Sequence, residues 1–230
     1  MKYAIICDVE TTGLDPAKDR VVEVGCILYS LEHATPVASF ASLVHGEGNP
    51  AERINRIPSN ALTNAPVAQY AWNRLSEFID CAGDDAVFIA HRAEFDRSFI
   101  AAVASKLSAR LPWVCSKFDI EWPLSKPGAS CVEMALAHGV PVVSAHRALT
   151  DCMLVAKTIE AVQGLGHDVN AMLERALRPK ATFQALVSYD DREKAKAAGF
   201  SWNGAAKVWT RSMAAEDTAA LPFPVREVAA

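Results

Sequence analysis

The chain has 230 residues, 51% of them hydrophobic, which is enough for one large domain with a real core and a small appendage. It contains no run of about eighteen apolar residues, and its first residues enter a predicted strand without signal-peptide organisation, so no membrane partner is expected. The six cysteines form no CxxC pair, which argues against zinc-finger sites and predicts reduced thiols in a cytoplasmic protein.

The net charge of −4 is divided unevenly along the chain. Residues 1–174 carry 14 basic and 21 acidic side chains, a net −7, whereas residues 175–230 carry 9 and 6, a net +3. This asymmetry favours two modules, with the basic one helping to hold a polyanion. A chance distribution of charge over solvated surfaces explains it equally well.

The hydrophobic pattern predicts three strands with short connections, followed by alternating helices and strands. Strands are predicted at 2–8, 21–29, 37–44, 86–90 and 113–118, and helices at 68–79, 94–108, 131–138, 148–162 and 170–177. The first three strands form an antiparallel meander, and the later alternation adds parallel strands. The sequence therefore predicts an α/β domain over residues 1–176, with helices flanking a mixed five-stranded sheet.

A second, smaller unit is predicted after a linker at residues 177–181. Residues 182–213 predict a strand, a short helix and a hairpin around Asn203-Gly204, which together form a βαββ module. Residues 214–230 are expected to be a tail. A unit of about forty residues is small for independent stability, so it is expected to lean on the main domain or on a ligand.

Two carboxylates stand at the end of the first predicted strand. Asp8 and Glu10 are two residues apart, so their side chains share one face of that strand at the edge of the core. Adjacent, poorly solvated negative charges need a positive partner. A divalent cation such as Mg²⁺ meets this need through carboxylate oxygens, and an arginine is the alternative.

Two more acidic residues and a histidine follow later strands. Asp96 lies in the first turn of one predicted helix, and Asp151 begins another, five residues after His146. Loops after strands build active sites in open α/β sheets, so the four carboxylates can converge at one sheet edge. Four such charges match two divalent cations, which can act on a phosphodiester. His146 would then deprotonate the attacking water. Taken singly, Asp96 and Asp151 also fit first-turn residues that face a helix dipole, and His146 fits an ordinary loop histidine.

Three segments, taken together, resemble a known family. The segment Asp8-Val9-Glu10-Thr11-Thr12-Gly13-Leu14 resembles the first motif of the DEDDh (DnaQ-like) 3′–5′ exonucleases. Residues 90–96 resemble the second motif, and residues 146–151 resemble the third, with its histidine five residues before an aspartate. The resemblance covers about residues 1–165 and implies a ribonuclease H-like fold.

The resemblance also implies a role for each matching residue. The implied set is Asp8, Glu10, Asp96 and Asp151 as ligands of two Mg²⁺ ions (replaceable by Mn²⁺), His146 as general base, and Thr11, Thr12 and Leu14 as contacts of the 3′-terminal nucleotide. Asp8 would bridge both ions, and both Asp8 and Glu10 would belong to the catalytic centre.

One position departs from the family pattern. Arg92 stands where the family usually has asparagine. A guanidinium can bind a phosphate of the substrate, or it can pair with a carboxylate and weaken metal binding.

The function implied is hydrolysis from the 3′ end of DNA, with RNA as a second substrate, releasing nucleoside 5′-monophosphates in repair or proofreading. A polymerase or another DNA-processing protein is the expected partner. The alternative is a nucleic-acid-binding or polymerase-associated subunit with an idle nuclease site, which Arg92 and the basic C-terminal part favour. A third hypothesis gives residues 178–230 the task of selecting the substrate.

Overall fold

The computed structural model describes residues 1–228 and contains two sheets. The larger sheet has five strands in the order β3-β2-β1-β4-β5, in which β1, β2 and β3 are antiparallel and β4 and β5 run parallel to β1. Its strands are β1 (Tyr3–Thr11), β2 (Val21–Ser30), β3 (Thr35–Leu43), β4 (Ala86–Ala90) and β5 (Trp113–Cys115). The predicted mixed sheet and its antiparallel meander are confirmed.

Helices cover both faces of this sheet. The helices of the domain are α1 (Glu52–Asn55), α2 (Ser59–Thr63), α3 (Ala68–Ala82), α4 (Ala93–Ser108), α5 (Cys131–Ala137), α6 (Ala148–Gly164) and α7 (Val169–Ala176). Alternate residues of β1 face opposite layers: Ala4 and Ile6 pack with α5, α6 and α7, whereas Ile5 and Cys7 pack with α3 and α4. Residues two apart on β1 therefore enter the same layer.

Strand β1 extends beyond its parallel neighbour. It pairs with β2 from Tyr3 to Thr11, but it pairs with β4 only from Tyr3 to Ile6. The end of β1 thus has no strand beside it on the β4 side. The first turn of α4 and the loop before α6 approach this open edge, where the acidic residues of β1 lie.

The C-terminal module has one strand more than predicted. Its sheet has the order β7-β8-β6-β9, with all neighbours antiparallel. Its elements are β6 (Ala181–Ala185), α8 (Arg192–Ala197), β7 (Ser201–Asn203), β8 (Val208–Met213), a 3₁₀ helix (Ala215–Ala220) and β9 (Val225–Val228). Strand β9 belongs to the segment predicted to be a tail. It was missed because four residues after two prolines give little periodic signal, whereas pairing along β6 stabilises them as a strand.

The module rests against the main domain. Lys180 Nζ lies 2.5 Å from Asp119 Oδ1, and both side chains are largely buried. A Cβ atom placed on Gly199 would lie 3.1 Å from the Cβ of Pro127, so the two backbones approach closely. The module's own core contains Phe183, Phe200 and Met213. Within residues 1–228, no helix combines the length and the apolar character needed to cross a bilayer.

Candidate active site

The acidic residues of β1 meet the start of α6. Asp8 and Glu10 project from the same face of β1, towards the layer that contains α6. Ligand oxygens of Asp8, Glu10 and Asp151 all lie within 4.8 Å of one another, and all three side chains are half-buried. Three carboxylates at this spacing can act as ligands of one divalent cation.

Asp96 reaches the same place from the opposite layer. It lies in the first turn of α4 and is 2% exposed, and its Oδ1 accepts a hydrogen bond of 3.0 Å from the backbone N–H of Val9. That N–H is available because β4 no longer pairs with β1 at this point. The hydrogen bond holds Asp96 between the two acids of β1.

Burial and mutual repulsion disfavour the ionised forms of these acids. Burial, followed by the charges of Asp96 and Asp151, raises the pKa of Asp8 well above its usual value. Burial and the nearby acids raise the pKa of Glu10 to about 7, and burial raises that of Asp96 to about 7. Burial also raises the pKa of Asp151. A bound cation would relieve this repulsion, so the donor set fits a divalent metal.

Glu23 is a buried acid that the sequence analysis did not single out. It faces Glu10 across β1 and β2, where two like charges repel. Its carboxylate accepts hydrogen bonds from Arg147 Nε (2.9 Å), Arg147 Nη2 (2.6 Å) and the backbone N–H of Ala148 (3.1 Å). Glu23 therefore anchors the start of α6 to the sheet. A single acid inside the apolar run Val21–Tyr29 was the signal available in the sequence.

Gly25 lets α6 approach the sheet. A Cβ atom on this residue would lie 2.5 Å from the carbonyl carbon of Ala148, and closer still to the backbone N of Leu149. Backbone atoms cannot move aside as a flexible side chain can. The absence of a side chain at Gly25 thus sets the distance from β2 to the helix that carries Asp151.

The change Gly25→Ala is therefore expected to push the start of α6 away from β2. We expect a loss of about 1–3 kcal/mol of unfolding free energy, as for an overpacked core, together with weaker metal binding. Chemical denaturation and a metal titration measure these effects. Gly164→Ala is the control, because a Cβ atom there meets no atom within 4 Å, and it should be neutral or slightly stabilising. Equal effects of the two changes would contradict the close-packing role.

His146 lies directly before α6, at the mouth of the cleft. Its side chain is exposed, and its backbone has φ +65°, a left-handed conformation that histidine adopts more readily than most residues. Its backbone N–H donates a hydrogen bond of 3.3 Å to Asp151 Oδ1. This turn directs the imidazole to the same cleft as the acids.

The cleft has a volume of about 340 Å³ and collects the residues of all three motifs. Its lining includes Asp8, Glu10, Arg92, Asp96, His146 and Asp151. Arg92 precedes α4, is exposed, and has its guanidinium carbon 5.8 Å from the centre of the Phe95 ring. Its charge lies near enough to Asp96 to oppose the rise in the pKa of that carboxyl, although the two groups form no ion pair within residues 1–228.

Of the three other residues with an implied substrate role, Thr11 is the last residue of β1, and Thr12 and Leu14 lie in the loop after it. The hydroxyl of Thr11 donates to Gly13 O at 2.6 Å, and that of Thr12 donates to Asp19 Oδ1 at 3.2 Å. Leu14 is 80% exposed at the tip of this loop. None of the three lines the cleft within residues 1–228, so their contact with a terminal nucleotide stays a prediction.

His91 is a second histidine of the cleft and has a structural role. Its ring nitrogens contact Ser116 Oγ at 3.0 Å and Ala129 O at 3.1 Å. Burial, together with the charge of Lys117, lowers its pKa to about 4. A neutral ring with both nitrogens engaged ties the end of β4 to the loop before α5.

Comparison with known families agrees with this geometry. The family model described as "Exonuclease" matches residues 5–159, which include all three motifs and most of the large sheet. The chain belongs to this exonuclease family. Its main domain is a nuclease, a hydrolase, and the predicted DnaQ-like membership is confirmed. A separate family model, described as a domain of unknown function, matches the C-terminal module at residues 181–228.

The individual relatives that match include a subunit and PolC-type forms of DNA polymerase III. The DNA polymerase III subunit epsilon of Treponema pallidum is 29% identical over 177 residues, which cover 71% of this chain and 80% of that protein. The chain spans only 12–13% of the PolC-type DNA polymerases III that also match.

Two solved structures share the exonuclease fold. Exonuclease X in complex with 5′ overhanging duplex DNA has a TM-score of 0.52 and 23% identity, over 74% of this chain and 98% of that one. The nuclease domain of 3′hExo, a DEDDh family member bound to rAMP, has a TM-score of 0.54 and 14% identity, over 72% and 92%. These similarities show the fold.

Proposed function

We propose that the chain is a metal-dependent 3′–5′ exonuclease that hydrolyses the terminal phosphodiester bond of DNA, with RNA as a second substrate, and releases nucleoside 5′-monophosphates. The observation that carries this proposal is the cluster of Asp8, Glu10 and Asp151, whose ligand oxygens lie within 4.8 Å of one another beside His146. Membership of the exonuclease family gives the reaction class.

The proposed metal site uses four carboxylates. Asp8, Glu10 and Asp151 would hold the ions, and Asp96 would contribute directly or through water. Two divalent charges would offset four carboxylates and relieve the repulsion among them, so the proposed cofactors are two Mg²⁺ ions, for which Mn²⁺ could substitute. When bound, such ions stabilise charge on the attacking and leaving oxygens of a phosphodiester.

The remaining groups would act on water and on the substrate. His146 lies at the cleft mouth with an exposed imidazole, a position suited to accepting the proton of an attacking water molecule. Arg92 carries five N–H donors at the same mouth and suits a phosphate oxygen of the nucleotide. Glu23 and Gly25 would act indirectly, by positioning the segment that carries His146 and Asp151.

The test is a degradation panel of single- and double-stranded DNA and RNA oligonucleotides, each labelled once at the 5′ end and once at the 3′ end. With Mg²⁺ or Mn²⁺, the 5′-labelled strands should shorten stepwise, and the 3′ label should appear at once as a mononucleotide. Excess EDTA should stop both. Intact strands in every lane with either metal would overturn the proposal. Early release of the 5′ label as a mononucleotide would show that hydrolysis starts at the 5′ end instead.

A second candidate function is that of a polymerase-associated subunit whose nuclease site is idle. The match to a DNA polymerase III epsilon subunit over 80% of its length favours association with a polymerase, and Arg92 favours altered site chemistry. Oligonucleotide binding without metal-dependent cleavage would support this candidate. A cytoplasmic location is proposed for either function and is supported by the six free thiols.

A further inference from the structure

A second cleft lies between α4 and the sheet of the C-terminal module, and is here called the interdomain groove. Its volume is about 820 Å³, and its walls include Arg97, Phe118, Ser201, Thr210 and Ser212. Arg92 and Phe95 line both this groove and the active-site cleft. The two clefts are therefore adjacent, with Arg92 and Phe95 in contact with both.

The module turns a polar sheet face to the groove. On β8, Thr210 and Ser212 share one face and line the groove, whereas Trp209 and Met213 lie on the other face and belong to the module's own core. Arg211, between the two hydroxyl residues, also lines the groove. Ser201 extends the hydroxyl-bearing face, because it pairs with Thr210. Hydroxyl groups of this kind donate hydrogen bonds to phosphate and sugar oxygens.

The opposite wall of the groove, at the start of α4, carries two arginines that form no ion pair within residues 1–228. Arg92 and Arg97 are exposed and form no ion pair within residues 1–228. Two other basic groups of the groove are already engaged, since Lys180 pairs with Asp119 and Arg211 donates to Ala198 O at 2.7 Å. The guanidinium groups of Arg92 and Arg97 are thus available for an anionic ligand, although the exposed carboxylate of Glu94 lines the same groove.

An aromatic side chain completes the groove. Phe118 is 51% exposed, and Lys117 Nζ lies 5.5 Å from the centre of its ring. An exposed ring beside basic groups can stack on a base, and this combination of a charged channel and an aromatic platform is characteristic of single-strand binding. The groove volume of about 820 Å³ leaves room for part of a single strand beside this ring.

We propose that the interdomain groove binds the single-stranded nucleic acid immediately upstream of the 3′-terminal nucleotide. This inference rests on the proposed exonuclease function for the direction of the strand. Arg97 would contact a phosphate and Phe118 would stack on a base. The groove would thereby increase the affinity for a strand long enough to extend from the active-site cleft into the groove. A dinucleotide, which occupies the active-site cleft alone, would not gain this affinity.

The first test compares the substrates dT12 and the dinucleotide pdTpdT. Arg97→Glu should lower kcat/KM on dT12 roughly fivefold more than on the dinucleotide, because one charge-assisted phosphate contact is lost. It should also reduce the slope of log affinity against log salt by about 0.7. Lys106→Glu is the control, because Lys106 is exposed on the same helix outside the groove. This variant should leave the ratio of kcat/KM on dT12 to kcat/KM on the dinucleotide unchanged. Equal ratios for the two variants would overturn the proposal.

The second test addresses stacking. Phe118→Ala should weaken dT12 binding roughly tenfold, whereas Tyr70→Ala, at a residue of the same 51% exposure on α3, should not. Fluorescence anisotropy with labelled dT12 in EDTA measures binding without turnover, so it also tests the groove if the wild type proves inactive. Inactivity of the wild type on both substrates would count against the proposed function, and equal binding by all variants would count against the groove. Circular dichroism melting checks that each variant is folded.

Discussion

Asp8→Asn is expected to abolish metal-dependent hydrolysis and, in the absence of metal, to raise the melting temperature of the protein. The raised pKa values of Asp8, Glu10 and Asp96 mean that folding favours their protonated forms. Above about pH 7 the ionised forms of Glu10 and Asp96 oppose folding, and this cost falls as the pH drops through 7 towards the unfolded values near 4. Because asparagine cannot ionise, Asp8→Asn removes one of the mutually repelling acids, and at pH 8 it should therefore stabilise the metal-free protein by on the order of 1 kcal/mol, or about 2–4 °C.

Thermal melting in EDTA and in Mg²⁺ measures this prediction. Mg²⁺ should raise the melting temperature of the wild type, because a ligand that binds the folded state stabilises it, and it should raise that of Asp8→Asn much less. Asp84→Asn, at an exposed acid outside the cleft, is the matched control and should behave as the wild type. A lower melting temperature for Asp8→Asn in EDTA would show that Asp8 is held by a partner within the protein rather than by a metal.

His146→Ala is expected to lower kcat by about 10²–10⁴-fold, the usual contribution of a positioned general base. The stabilisation by Mg²⁺ should persist, because the three clustered carboxylates do not include this side chain. This combination separates a role in proton transfer from a role in metal binding. Loss of the Mg²⁺ effect would instead indicate that the change disturbs Asp151, which accepts a hydrogen bond from the backbone of His146.

Steady-state rates on a 5′-labelled oligonucleotide, measured with saturating Mg²⁺, test the role of His146. His167→Ala provides the control, since His167 is exposed in the loop between α6 and α7, away from the cleft. Its kcat should match that of the wild type. Full turnover by His146→Ala would remove this residue from the proposed chemistry and leave the carboxylates as the essential groups.

Much of the active-site geometry follows from local sequence pattern. The separation of two residues between Asp8 and Glu10 places them on one face of any strand, and the run before them forms a strand because it is apolar and β-branched. The resemblance to the DEDDh exonucleases located all three motifs before the fold was known. Local pattern also predicted the order of the strands and helices that brings these segments to one edge of the sheet.

Other features depend on contacts between residues far apart in the chain. Glu23 anchors α6 only through its contact with Arg147, which lies 124 residues away in the chain. Gly25 matters because the backbone at the start of α6 packs directly against it. Strand β9 exists because β6 offers a free edge. A periodic pattern reports only which face of an element is apolar, and it does not report the partner that covers that face.

The sequence by itself thus determined the α/β class and the three acidic motifs, and it predicted a division into a large domain and a basic module. Only the tertiary structure decided that Asp96 is held by the backbone of β1 at its open edge, and that Arg97 and Phe118 face Thr210 across a groove. The physical reason is that side-chain periodicity acts over a few residues, whereas a cleft is formed by elements that packing brings together from distant parts of the chain.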